Sequence, residues 1–289
     1  MTRGAFGWST ISDFAKGGLS RYSLFVCGKV FCGLMTFFSR FKRGRLAPAA
    51  DTRSMADGIL LYAIGDIHGR DDLFSDLLDK IAADRRGRPH ELCVLVLLGD
   101  LVDRGPDSDR VIERALSLPA HFDRVHHLIG NHEESMLAAL AKDVRALRFF
   151  VRIGGEATIR SYLRDDKLYD RLTFEELADV FSDAVPRSHM DFLRRGEDMV
   201  RYGDYVFVHA GVRDSVPLDR QKLTDLRWIR DEFLSSKRDH GALIVHGHTI
   251  AAEVEERPNR IGIDTGAYRT GRLTAIGLYG TDRWYLQTP

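Results

Sequence analysis

Leu92-Cys93-Val94-Leu95-Val96-Leu97-Leu98-Gly99-Asp100-Leu101-Val102-Asp103-Arg104-Gly105 decides the reading of this chain. Seven apolar residues of strand length stop at a glycine, and two aspartates and an arginine follow at once. The pattern recurs on both sides. Residues 59–64 run into Gly65-Asp66-Ile67-His68-Gly69, and residues 125–129 into Gly130-Asn131-His132-Glu133. Residues 205–208 run into His209-Ala210-Gly211, and residues 242–245 into His246-Gly247-His248-Thr249. Helical spacing over 73–81 and 108–116 separates the first three runs. Strands alternating with helices predict an α/β domain, and ligands of such sheets gather beyond the carboxyl ends of the strands. Five strand ends carrying the same few residue types are one site assembled from dispersed sequence.

Outward from these runs the chain divides unevenly. Residues 135–201 lack strand runs and show helical periodicity, as at 174–185, which predicts a helical insertion. Residues 261–289 alternate apolar and polar, as closing antiparallel strands do. The domain is expected over 58–289, with 1–57 as an N-terminal extension. That extension holds an apolar run, 24–38, interrupted by Lys29 and followed by Arg40, Lys42, Arg43 and Arg45. The run is short for a membrane span, and its charges follow it where those of a signal peptide would precede it. An unstructured extension, translation starting at Met35, and weak contact with a membrane surface are the three readings.

The 289 residues are 44% apolar, enough for a real core, and 42 basic residues balance 42 acidic ones. That balance argues against a nucleic-acid partner. The first 55 residues nevertheless carry nine Lys/Arg against Asp13 and Asp51. Three cysteines make no disulfide framework. Cys27 and Cys32 lie in the extension, and Cys93 is expected as a buried thiol. A cytoplasmic location is the expectation.

Asp66, His68, Asp100, Asn131, His209 and His248 offer oxygen and imidazole nitrogen without a thiolate. Such a set suits first-row divalent ions better than calcium. Six ligands are too many for one catalytic ion but suit two ions sharing a carboxylate, the clamp used in phosphate-ester hydrolysis. His246 reads as a core histidine. His126, His127, Arg85, Arg86 and Arg88 read as structural or solvated.

Taken together, 65–69, 99–105, 130–133, 209–211 and 247–248 resemble the motif set of the phosphoprotein phosphatase branch of the metallo-dependent, calcineurin-like phosphoesterases, in its bacterial form. Trp228-Ile229-Arg230 resembles the arginine motif of bacterial and phage members, and Ile263-Asp264-Thr265-Gly266 their C-terminal segment. The resemblance covers about 59–285. It implies a β-sandwich flanked by helices, in four layers α/β/β/α, with a di-metal centre at one end. By the same resemblance Asp66 and His68 are first-metal ligands, Asp100 bridges, and Asn131, His209 and His248 are second-metal ligands. His132 is the general acid, Asp103 its partner, and Arg104 and Arg230 the phosphate clamps. Two manganese ions, with iron, zinc or cobalt as alternatives, would acidify a bridging water that acts as nucleophile.

The implied activity is that of a serine/threonine protein phosphatase, with phosphoproteins or phosphopeptides as substrates. The rival is a symmetrical diadenosine tetraphosphate hydrolase or related nucleotide pyrophosphohydrolase. Its second motif typically lacks the aspartate standing here as Asp103. Nucleases of the wider superfamily usually carry a histidine where this chain has Ile250. A non-catalytic scaffold on this fold would be expected to have lost ligands, and none is missing.

Overall fold

Alternate residues of β1 (Ile59–Ile64) face two different cores, and that alternation sets the layers of the molecule. Leu60, Tyr62 and Ile64 point into one buried cluster, Leu61 and Ala63 into another. Successive side chains of a strand leave opposite faces, so a strand apolar at every position must be covered on both. The computed structural model describes residues 52–289. The apolar run at 24–38, Cys27, Cys32, the basic cluster at 40–45 and the start at Met35 lie outside the described residues.

β1 runs parallel to β2 (Leu92–Leu97), and β2 parallel to β3 (Arg124–His127). A second sheet holds β4 (Met199–Tyr202), β5 (Tyr205–Val208), β6 (Leu243–His246), β7 (Glu255–Glu256) and β8 (Arg260–Gly262). β9 (Thr274–Tyr279) returns to the first sheet antiparallel to β1, and β10 (Asp282–Gln287) pairs with β9. The orders are β10-β9-β1-β2-β3 and β4-β5-β6-β8-β7. The alternation at 261–289 is thus closed by antiparallel strands, as expected.

The sheets face each other across Val94, Val96, Tyr205, Phe207, Val245, Ile261 and Ile276. Helices α1 (Asp71–Arg85) and α2 (Ser108–Ser117) cover the first sheet. α1 does so with Phe74, Leu77 and Ile81, spaced to share one helix face. The insertion comprises α3 (Asn131–Ala139), α4 (Val144–Phe150), α5 (Glu156–Leu163), α6 (Asp166–Tyr169), α7 (Phe174–Ala184) and α8 (Arg187–Arg194). It joins that outer core through Phe150, Ile159 and Phe181. Between α4 and α5 a π-helical turn, Val151–Gly155, carries Gly154 at φ 123°. The second sheet is covered by α9 (Leu223–Trp228) and α10 (Asp231–Leu234), with Leu226 and Phe233 packed on Val206, Val208 and Ile244. A short α11 (Ala267–Thr270) precedes β9. Helices, sheet, sheet and helices make the expected four layers.

The domain begins before residue 58. Met55 is buried between the sheets and its N–H donates to Gly280 O at 2.8 Å. Ser54 exchanges two bonds with Asp204, and an Arg53 Nη1–H donates to Pro258 O. No helix of the described residues is long and apolar enough to cross a membrane.

Candidate metal centre and active site

The turns after β1, β2, β3, β5 and β6 meet at one end of the sandwich. Seven non-glycine residues among those described have positive φ, and His68, Asp100, Asp103, Arg104 and His248 are five of them. Left-handed backbone is uncommon outside glycine, and its concentration here marks side chains held in place by their surroundings. Glycines let carboxylates come close. A methyl group at Gly130 would lie 2.1 Å from Asp100 Oδ1, and one at Gly247 would lie 2.0 Å from Asp66 Oδ1.

Two groups of donors form around Asp100, one with His68 and His132, the other with His209 and His248. Within each group the ligand atoms lie within 4.8 Å of one another. The carboxylate divides between them. Oδ2 is 3.6 Å from His68 Nε2 and 3.9 Å from His132 Nε2, whereas Oδ1 is 3.4 Å from His209 Nε2. His209 Nε2 is also 3.2 Å from His248 Nδ1 and from Asn131 Oδ1. Nδ1 of His68 donates to Val102 O, and Nδ1 of His209 to Leu98 O, which frees Nε2 of both rings as ligands.

Two residues of the expected set need placing beside these groups. Asp66 stands beside both groups; its oxygens accept the His248 N–H at 2.9 and 3.2 Å and it lies against Asp264. His132, expected as the acid, stands within the first group. Its Nδ1 is 2.5 Å from Asp103 Oδ2, and Arg104 Nη2 lies 3.3 Å from its Nε2. Arg230 donates to His248 O at 3.3 Å on the other flank. His246 remains in the core, with Nδ1 toward Gly247 O and its ring edge-on to Phe233.

The donor set fits divalent cations. Burial pushes Asp100 and Asp264 each up to about 6, and Asp66 well above the carboxylate range; neighbouring carboxylates add to the shift of Asp66 and Asp100. Burial also lowers His209 to about 4 and drives His68 and His248 well down. Bound cations would stabilise ionised carboxylates and neutral imidazoles alike. His248 Nε2 is moreover buried without a hydrogen-bond partner. Asp66, His68, Asp100, Asn131, His209 and His248 would hold such ions, which when bound supply Lewis-acid stabilisation of a phosphoryl group and activate water.

Several supporting residues were not singled out by sequence reasoning. Glu133 is buried and accepts N–H bonds from Asp100, Leu101, Val102 and Gly130, tying two strand ends together. Thr158 donates to Asp103 Oδ1 at 2.6 Å. Tyr268 accepts from Arg104 Nη1 at 2.7 Å, with the guanidinium over its ring. Only Glu133 and Asp264 carried a local signal, as parts of quoted motifs.

The calcineurin-like phosphoesterase family matches residues 59–271, and the chain belongs to it. The domain at 59–271 is therefore of the metallophosphoesterase class. A symmetrical bis(5'-nucleosyl)-tetraphosphatase of Delftia acidovorans is 34% identical over 154 residues, 53% of this chain and 44% of that protein. The chain thus spans less than half the length of that relative. An asymmetrical bis(5'-nucleosyl)-tetraphosphatase, PrpE of Bacillus cereus, is 27% identical over 231 residues, 74% of this chain and 88% of its own. Among solved structures, a proposed diadenosine tetraphosphatase superposes with a TM-score of 0.57 at 21% identity, over 81% of this chain and 99% of that one. A cold-active protein-tyrosine phosphatase of a psychrophilic Shewanella gives 0.50 at 19%, over 81% and 83%. These two likenesses concern the fold. Both sequence relatives bear the name of the rival activity, not that of a serine/threonine phosphatase.

Proposed function

We propose that the protein hydrolyses a phosphoanhydride bond of a dinucleoside tetraphosphate or a closely related nucleotide. The observation that carries this choice is the likeness to PrpE, which extends over most of both chains. The site suits the chemistry. Arg104 and Arg230 flank a buried centre of carboxylates and imidazoles, and planar guanidinium groups bind phosphate oxygens in pairs. This reading replaces the expectation of a serine/threonine phosphatase as the first choice.

One observation favours that expectation as a second reading. A nucleoside phosphate leaves as a stable anion, whereas the oxygen of a serine or threonine must be protonated as it departs. The buried Asp103–His132 pair is built like a general acid and its partner. Purified protein with manganese, assayed against bis(5'-adenosyl) tetraphosphate and a phosphoserine peptide, decides between them. A kcat/KM for the dinucleotide well above that for the peptide supports the first reading, and the reverse order overturns it. The nucleotide products show whether cleavage is symmetrical.

A further inference from the structure

Trp228 stands two residues before Arg230, and 36% of its surface is exposed. Among the described residues it is the one aromatic among three exposed large apolar side chains, with Leu92 and Leu223. It is not loose. Its indole N–H donates to Glu134 Oε2 at 2.5 Å, and Glu134 Oε1 is held by Arg227 at 3.0 Å. Glu134 follows His132 by two residues on α3. The ring is thus fixed between the segment that carries Arg230 and the helix that carries His132. Two residues span at most about 7 Å, so the Trp228 backbone lies that close to Arg230.

A second ring adjoins it. Phe149, half-buried at the end of α4, lies 6.1 Å away between centroids, with the planes inclined by 47°. The Arg152 guanidinium is 5.2 Å from the Phe149 ring centre. Arg152 belongs to the π-helical turn whose Gly154 O accepts the Arg104 N–H at 3.1 Å. The aromatic pair therefore lies between the segments that hold the two phosphate clamps.

We propose that Trp228 and Phe149 form the platform on which a nucleobase of the substrate stacks while Arg104 and Arg230 hold its phosphates. The proposal deepens the dinucleotide reading and rests on it. A tethered aromatic ring presents stacking area with little ordering left to do. Stacking on a ring is tolerant of which base is present, so the platform recognises nucleotides as a class. Arg152, whose guanidinium lies over the Phe149 ring, adds positive charge to the platform.

The test compares two substrates and one ligand across three proteins. In wild type, Trp228→Ala and Phe149→Ala, kcat/KM is measured for bis(5'-adenosyl) tetraphosphate and for inorganic tripolyphosphate, which has no base. The ratio of the two is expected to fall about tenfold in each variant. Trp228→Phe, which keeps a ring but not the bond to Glu134, should recover most of it. Binding of AMP, followed by calorimetry, should weaken in parallel. A ratio unchanged in both alanine variants overturns the platform, as does a loss confined to a phosphoserine peptide. If wild type does not cleave the dinucleotide but AMP binding still depends on Trp228, the platform stands and the substrate reading falls.

Discussion

Oδ2 of Asp103 lies 2.5 Å from Nδ1 of His132, with both side chains buried. The carboxylate holds the ring by Nδ1–H and turns Nε2 toward Asp100 and Arg104. Thr158 occupies the other Asp103 oxygen, so the pair cannot rotate apart without breaking a third bond. The order Thr158, Asp103, His132 fixes which imidazole nitrogen faces Asp100 and Arg104.

His132→Asn should lower turnover of a phosphoserine peptide by roughly 10²–10⁴, the usual worth of general acid–base catalysis. It should still retain both metals, because the Arg104 guanidinium 3.3 Å from Nε2 makes that nitrogen a poor cation ligand. The loss should shrink for p-nitrophenyl phosphate, whose leaving group needs no proton. Elemental analysis beside the kinetics checks this, and metal lost in step with activity would reassign His132 as a ligand.

Asp100 serves both donor groups through different oxygens. Removing its charge should therefore disturb both ions at once. Manganese at a hundred times its Kd should stabilise the wild-type protein by about 2.7 kcal/mol for each ion bound, a rise of roughly 5–10 °C in melting temperature per ion. Asp100→Asn should show little of that rise and no hydrolysis. Full activity of this variant in chelator-treated buffer would contradict the two-ion centre.

Glu133 makes a third case, one of position rather than contact with substrate. Its carboxylate accepts four backbone N–H groups within the core of the site. An amide in its place would turn a donor toward at least one of those donors. Glu133→Gln should cost about 3 kcal/mol and weaken manganese binding. A variant with unchanged melting temperature and metal affinity would remove Glu133 from that role.

What the sequence disclosed, and what it hid, follows from where partners lie along the chain. Asp66, His68 and Asp100 follow continuous apolar runs, and Asn131 and His132 a run broken by His126 and His127, so a strand followed by its motif was legible residue by residue. The β-sandwich was implied by resemblance, and the alternation of β1 between two cores explains it. Thr158 and Tyr268 gave no local sign, because their partners are 55 and 164 residues away. The position of Asp66 was also illegible. Its capture by the His248 N–H and its contact with Asp264 join segments far apart in sequence.

The start of the domain gives the last prediction. The expected boundary at 58 took the first apolar run as the first ordered element, since Met55 stands alone among polar neighbours. In the structure Met55 fills a place between the sheets and bonds Gly280, while Arg53 and Ser54 tie down the loops at Pro258 and Asp204. A chain beginning at Thr52 keeps all of these contacts and is the reference for the series. One beginning at Met55 loses the bonds of Arg53 and Ser54, about 1 kcal/mol each, and should melt several degrees lower. One beginning at Gly58 also empties the Met55 site, at a further cost of about 2 kcal/mol or more. Metal-dependent activity per folded molecule should be equal in all three, because every proposed ligand lies at 66 or beyond. Melting curves of the three chains check the series. Equal melting of the Thr52 and Gly58 chains would show that residues 53–55 rest on the domain without stabilising it.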